Sequence, residues 1–353
     1  MTGNKEPKLP EKSLSAVVFG VGILVLVVGI GMFVSLRIFT SLEIDKVITT
    51  TATAMGIITV GAAAVIQYRK HQVLEYQAHL DRDENYSSQL TRAIEHLGQE
   101  TSISIRTGGI YELKRLAITM SSKNDQQDIA DILCRYVRET GLNEKKTPYD
   151  VETAVLALSA IKAINSDIEI NIEKAWLNEA TLRKVNLAGA YISGAHFERT
   201  NLWQANFEGA DLSDANLEWA YLRGAHLERA DFSDAKLKGA DLQCAHLEEI
   251  VLRDADLECV DLNYARLEYA DLKGANLERA DFYEAILNRT HIQETNLLNV
   301  KNLTVEQLAK AWVYNDTKID NNLLNDFETS GHEFLIDFDK LTYEEQSYDD
   351  LPF

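Results

Sequence analysis

A period of five residues runs from Ile170 to Asn299 and restricts the fold more than any other feature of the chain. A central position recurs at every fifth residue from 172 to 297, which makes 26 units, and all 26 central residues are Leu, Phe or Ile. Two residues earlier, 19 of the 26 positions are alanine, and Asp or Asn lies between the two in 14 units. Neither the 3.6-residue period of a helix nor the two-residue period of a flat strand fits this pattern.

The pattern predicts a square coil in which each unit forms one side. The large central residue and the small residue two places earlier then face inward, and the other three positions face water. Four sides make one turn, so residues 20 apart stack on the same face. Strand-like spacing of about 4.8 Å between turns gives a rod of about 6.5 coils, roughly 30 Å long.

The stretch ADLSDANLEWAYLRGAHLERADFSDAKLKGADLQ resembles the pentapeptide-repeat family, whose signature is A-(D/N)-L-x-x. The resemblance covers residues 170–299 and implies a right-handed quadrilateral β-helix. Family members often end in a short helix that closes the rod. Here the frame breaks at Val300, and Thr304 and Gln307 fit a capping box, so a capping helix is predicted over 300–312.

Two uncharged apolar segments, 14–36 and 47–66, precede the repeat. About 20 apolar residues of helix cross a bilayer, so the segments predict a two-helix transmembrane hairpin in contact with lipid. The first is too long for a signal peptide and lacks an A-x-A cleavage site. Lysines in the cytoplasmic tail 1–13, and basic residues after the second segment, favour both termini in the cytoplasm. The expected location is the bacterial inner membrane, as a multi-pass protein.

Residues 67–165 predict a helical domain, and they resemble a helical segment that precedes the repeats in many bacterial membrane-linked members of the family. The first helix, 67–98, carries a broken heptad, which leaves open a coiled-coil homodimer or a helix packed on its own domain. Thr147 is predicted to cap the last helix. The acidic tail 313–353 is either disordered with a short binding motif or folded back on the rod.

Two faces of the coil carry candidate binding residues. Trp, Tyr and Arg dominate binding energies at interfaces, which favours one face as the interaction face. Its residues are Trp203, Tyr221, Arg223, Tyr264 and Tyr283. The acidic face carries Asp211, Asp214, Asp231, Asp234, Asp254 and Asp271. Like charges about 5 Å apart in water repel by only about 1 kcal/mol, so such ladders need no ligand. The carboxylates also lack the arrangement of a calcium-binding loop.

Catalytic signatures are missing from the sequence: G-x-S-x-G, H-E-x-x-H and G-x-x-x-x-G-K-[ST] do not occur. We therefore expect no enzyme activity, no cofactor and no metal site. His226 and His246 should stack, but the sequence offers no evident third ligand, which favours a surface role for both. The three cysteines show no CxxC spacing and fit a reducing compartment.

The net charge of −20 argues against direct nucleic-acid binding, because no basic excess exists to neutralise phosphates. The expected fold class is membrane-anchored α+β, with a transmembrane hairpin, a helical segment and the β-helix. The expected function is a non-catalytic scaffold or regulatory module for an unidentified protein partner. The alternative is an acidic DNA mimic, because some soluble family members resemble duplex DNA and bind DNA gyrase. Basic residues interrupt the acidic ladders here, which disfavours that alternative.

Overall fold

The computed structural model describes residues 67–68, 70–74, 84–120, 122–142, 145–314 and 316–331. The chain divides into two compact units, Met1–Asn85 and Tyr86–Phe353. The few described residues of the first unit are helical, and the account below concerns the second.

The membrane-anchored fold class requires correction. Among the described residues, no helix combines the length and the apolar character that crossing a bilayer demands. Such a helix needs about 20 apolar residues, whereas the longest described helices have 17 and carry charges such as Arg106 and Glu112. This finding contradicts the predicted hairpin architecture and the multi-pass inner-membrane location. The segments 14–36 and 47–66 themselves, and the tail 1–13, lie outside the described residues.

Among the described residues between 84 and 164, four helices precede the coil, each with one apolar stripe turned inward. They are α1 (84–97), α2 (Ile103–Thr119), α3 (Lys123–Glu139) and α4 (Tyr149–Ile164). Ser102 and Ser122 begin α2 and α3, and each side chain accepts a hydrogen bond from the backbone three residues on. Helices α2, α3 and α4 pack on one another around a core that includes Ile110, Leu113, Ile129, Leu133 and Leu158.

A buried polar group ties three of these helices together. Asp150, in the first turn of α4, is fully buried, and its carboxylate pairs with the Arg106 guanidinium of α2. The Tyr136 hydroxyl of α3 donates to the same carboxylate over 2.6 Å. Burial and the neighbouring carboxylate raise the pKa of Tyr136, so the phenol stays protonated and remains a donor. The charge on Asp150 is thereby matched despite its burial.

Helix α4 closes the N-terminal end of the coil. The first coil has no earlier coil to accept its backbone N–H groups, and side chains of α4 replace it. Glu152 accepts from the Thr181 N–H over 3.0 Å, and the Ser159 hydroxyl accepts from the Asn186 N–H over 2.8 Å. Thr147 does not cap α4 as predicted, because Pro148 holds the N-cap position and has no side-chain bond. The Thr147 hydroxyl donates instead to the Asn178 carbonyl of the coil, over 2.8 Å.

The structure confirms the predicted β-helix. Parallel bridges join residues 20 apart in an unbroken series from Asn171 with Tyr191 to Asp281 with Lys301. Every central residue is at most 3% exposed, and the alanines beside them are buried as well. Ile250 and Val260, which stand in place of alanine, are buried without interrupting the series.

A tight turn at every corner makes the coil square. The residue two places after each centre has a positive φ in all 26 units, and only six of these residues are glycine. The N–H one place further on bonds back to the central carbonyl, as Ala215 does to Leu212 over 3.1 Å. These are the features of a type II turn. Twenty non-glycine residues thus have a left-handed backbone conformation, because closure of the coil requires it.

The C-terminal end is closed by a helix and by further strands. A short helix, α5 (Val305–Leu308), begins with the capping box of Thr304 and Gln307, and both of its hydrogen bonds are formed. The chain then returns to the coil in two parallel pairings. Strands β1 (His291–Ile292) and β2 (Asn296–Leu297) pair with β3 (Trp312–Val313) and β4 (Lys318–Ile319), and α6 (Asn321–Thr329) follows. Residues 313–314 and 316–331 of the predicted acidic tail are therefore folded.

Leu242 tests the inward assignment, since it is 1% exposed while the neighbouring Gln243 faces outward. Leu242→Ala should lower the free energy of unfolding by about 2–5 kcal/mol through lost burial and a cavity. Leu242→Lys should unfold several coils because the interior offers the buried charge no partner. Gln243→Lys places the same side chain one residue away, beside Asp261, and should be almost neutral. Equal losses in thermal melts of the two lysine variants would contradict the assignment.

Candidate interaction surfaces

The Asp or Asn before each central residue has a structural task. In the unit 211–215, four of the five backbone N–H groups bond to backbone carbonyls, and only that of Ser213 does not. The Asp211 side chain accepts from it over 3.0 Å. The same bond, an Asx turn of 2.9–3.3 Å, forms in all 14 units that carry Asp or Asn at this position. These side chains thus complete the hydrogen bonding of the turn.

The acidic face offers fewer unpaired carboxylate oxygens to a binding partner than the sequence implied. Its residues lie where predicted, with Asp211 and Asp231 on adjacent coils. One oxygen of each is committed to the Asx turn and also accepts from a serine hydroxyl, Ser213 or Ser233, over 2.6 Å. Val251 replaces aspartate on the next coil, and Arg253 pairs with Asp271 over 2.6 Å. Three of the six aspartates, Asp211, Asp231 and Asp271, are therefore engaged within the protein, whereas Asp214, Asp234 and Asp254 are exposed at the corners of the coil.

The interaction face begins with Trp203, Tyr221 and Arg223. Tyr221 is 55% exposed and Arg223 is exposed beside it, whereas Trp203 is half-buried. The Arg183 guanidinium lies 4.6 Å from the Trp203 ring centre, and the Lys184 ammonium lies 5.1 Å from it. The indole thus already carries two cations on this face.

Tyr264 and Tyr283 form a second group further along the same face. Their rings meet edge to face with centres 5.5 Å apart, and both are exposed. A hydrogen bond to the Glu284 carboxylate raises the pKa of Tyr283. Position 283 lies four coils from 203, which is about 19 Å at strand spacing. The structure therefore places the five predicted residues on one face but in two groups, with Gln243 between them.

The two stacked histidines also lie where the sequence predicted. The rings of His226 and His246 are 4.7 Å apart and nearly parallel. The Glu228 carboxylate lies beside both, which the sequence reasoning missed. Within the described part of the chain, His226, Glu228 and His246 are the one group of three side chains placed to share a metal ion.

Comparison with known proteins agrees with the observed coil. The family model described as pentapeptide repeats matches in eight copies, over residues 168–204, 190–229, 230–263 and 261–297. The chain belongs to the pentapeptide-repeat family. Comparison with curated proteins found no match.

Several solved structures resemble the pentapeptide-repeat part of the chain. A pentapeptide repeat protein from the thylakoid lumen of Arabidopsis thaliana is 30% identical, over 29% of this chain and 68% of that one, with a TM-score of 0.24. HetL, a pentapeptide repeat protein involved in heterocyst differentiation regulation in the cyanobacterium Nostoc, is 25% identical over 43% and 85%, with a TM-score of 0.19. QnrB1, a plasmid-mediated fluoroquinolone resistance protein, is 18% identical over 48% and 95%, with a TM-score of 0.26. Scores this low add nothing about function.

Three exposed aromatic residues of the pentapeptide-repeat coil were not singled out from the sequence. They are Tyr191, Trp219 and Tyr269, which are 47–50% exposed on the three other faces. Trp219 lies over Gly239, where an added Cβ would come within 2.5 Å of the indole. The Tyr269 ring has the Arg289 guanidinium 5.5 Å from its centre. The repeat pattern alone predicts that these three side chains point outward. Only the interaction face, however, combines three exposed tyrosines within the described coil.

Asp231 separates the structural role of aspartate from its charge. Asp231→Asn keeps the Asx-turn acceptor and should change the free energy of unfolding by less than about 0.5 kcal/mol. Asp231→Ala leaves the Ser233 N–H without an acceptor and should cost about 1 kcal/mol. Urea denaturation of both variants measures the difference. If the Asn variant is as unstable as the Ala variant, the carboxylate charge, and not the hydrogen bond, holds the turn.

Proposed function

We propose that the chain is a non-catalytic protein-binding module, and that its partner docks on the interaction face. The observation that carries the proposal is the exposure of Tyr221, Tyr264 and Tyr283 on one face of a rigid coil, together with exposed Arg223. Each tyrosine can bury a large ring at low conformational cost, and arginine offers a planar fork to a carboxylate or carbonyl.

The spacing of the two groups suits one interface. A standard protein interface covers about 800 Å² on each partner, which is a patch nearly 30 Å across. The two groups together span about 19 Å, from Trp203 to Tyr283, so one partner can reach both. The first group carries the positive side chains Arg183, Lys184 and Arg223, and the second lies beside Glu284. A partner with acidic residues at one end of its patch and basic residues at the other would match this face.

The other faces are poorer docking surfaces for an apolar patch. Glutamate ladders occupy two of them, and a carboxylate left unpaired in an interface is costly.

A second candidate function is DNA mimicry. The overall charge of −20 supports an acidic rod that imitates DNA for a DNA-handling enzyme such as gyrase. Arg229 and Arg266 pair with glutamates on one such ladder, which reduces the resemblance to an unbroken row of phosphates. Binding of a protein partner on the interaction face is therefore the preferred function.

A photo-crosslinking side chain at Gln243, between the two groups, tests the proposal in cells that express the full chain. We expect one dominant crosslinked protein. Tyr221→Ala with Arg223→Ala should abolish that crosslink and leave the melting temperature nearly unchanged, because both side chains are exposed.

The matched control neutralises the acidic face without breaking its turns. Asp211→Asn, Asp231→Asn and Asp271→Asn together remove three charges and keep every Asx acceptor. The crosslink should survive in this triple variant. Loss of the crosslink in the triple variant, with survival in the Tyr221 and Arg223 variant, would identify the acidic face as the docking surface and favour DNA mimicry.

A further inference from the structure

A compact group of side chains with potential metal ligands lies on the face of the Glu208 ladder, which is next to the interaction face around the coil. His226 and His246 occupy the same position on adjacent coils and form a parallel bridge with each other. Glu228 follows the centre of the same unit as His226, and its carboxylate lies beside both stacked imidazoles. Its Oε1 atom lies 3.2 Å from His226 Nδ1 and 3.9 Å from His246 Nδ1.

The separations are close to those of a zinc site. One ligand atom from each of the three residues lies within 4.8 Å of the ligand atoms of the other two. A tetrahedral Zn²⁺ holds nitrogen and oxygen ligands at 2.0–2.2 Å, which puts neighbouring ligand atoms about 3.4 Å apart. His226 is 49% exposed and His246 is 33% exposed at the side chain, so neither ring is enclosed by the protein and both can turn toward a shared ion.

The charges around Glu228 supply an independent argument. Arg229 pairs with Glu208, and Arg266 pairs with Glu248 over 2.9 Å and with Glu268 over 3.5 Å. Of the four glutamates on this ladder, Glu228 is the one that meets imidazoles and no arginine in the described structure. Its second oxygen, Oε2, is shielded from water and has no hydrogen-bond partner within the described residues. The Oε2 atoms of Glu248 and Glu268 are shielded in the same way, but those two carboxylates are paired with Arg266 through Oε1. A partly shielded carboxylate without a cationic partner is costly, and a bound cation would supply the positive charge that Arg266 gives to Glu248 and Glu268.

We propose that His226, His246 and Glu228 bind Zn²⁺, and that the ion joins two successive coils. Two imidazoles and one carboxylate are a ligand set that suits zinc, with water in the fourth position. Glu248 Oε1 lies 3.9 Å from His246 Nδ1 but is held by Arg266, so it is not part of the set. Because its ligands come from adjacent coils, the ion resists separation of those coils and stabilises the folded rod.

The test is a calorimetric titration of the untagged full-length chain with ZnCl₂ at pH 7.5. We expect one zinc ion per chain at this site, and a melting temperature that rises with zinc concentration, as mass action requires. His226→Asn, His246→Asn and Glu228→Gln should each weaken binding at least about tenfold. The two asparagine variants place in this position a residue that forms an Asx turn in other units, so the coil should be retained. Glu228→Gln provides a second route if either fails to fold.

His196→Asn is the matched control. His196 occupies the same position of its unit on another face, where its ring stacks on Trp176 at 4.0 Å, and it belongs to no group of ligands in the described structure. This variant should bind zinc as the unaltered chain does. The proposal is overturned if the unaltered chain binds no zinc, or if the three cluster variants bind it as tightly as the control. The histidines would then be only hydrogen-bonding neighbours of Glu228.

Discussion

Hydrogen bonding between successive coils is the constraint on which the rest of the structure depends. Each side of the square uses its backbone groups to hold the coil above and the coil below, and the groups at the two ends of the rod have no such partner. At the N-terminal end, Glu152 and Ser159 of α4 accept the free N–H groups. At the C-terminal end, the chain adds β3 and β4 to the last coil. The helical segment therefore does not only precede the coil in sequence. It also closes the N-terminal end of the coil.

The five-residue period predicted which residues face inward, because the period itself arises from the regular recurrence of buried positions. Leu at every fifth position and Ala two places earlier need no further information to be assigned to the core. The left-handed residue at every corner was not predicted, since lysine, glutamate, arginine and tryptophan occupy a position where glycine is the usual signal. That conformation is imposed by the hydrogen bonds that each unit makes with the neighbouring coils, and not by the residues of the unit itself. Past Val300 the sequence predicted the capping box of Thr304 and Gln307, which is formed. The strands that follow were not predicted, because the pairings of His291 with Trp312 and Asn296 with Lys318 depart from the spacing of 20.

Ladders of residues 20 apart could be derived from the sequence, but contacts between different ladders could not. His226 over His246 and Trp203 next to Arg223 follow from the period alone. The approach of Glu228 to His246 joins two different positions of the repeat, 18 residues apart, and depends on side-chain rotamers. The contact of Lys184 with Trp203, 19 residues apart, arises in the same way, whereas Arg183 lies 20 residues before Trp203 on the same ladder. Together the two cations decide how much of that indole a partner can reach.

The coil also divides the acidic residues into two classes that composition alone cannot distinguish. Aspartates before the central residue are bound to the backbone, so their abundance follows from the needs of the turn. Glutamates after the central residue, such as Glu228, have side chains that the turn does not use. Part of the net charge of −20 thus belongs to residues with a structural task, so the total charge is weaker evidence for a basic partner than composition alone suggests. Binding chemistry in this coil is better sought in the position after the centre, where side chains are free to meet a metal ion or another protein.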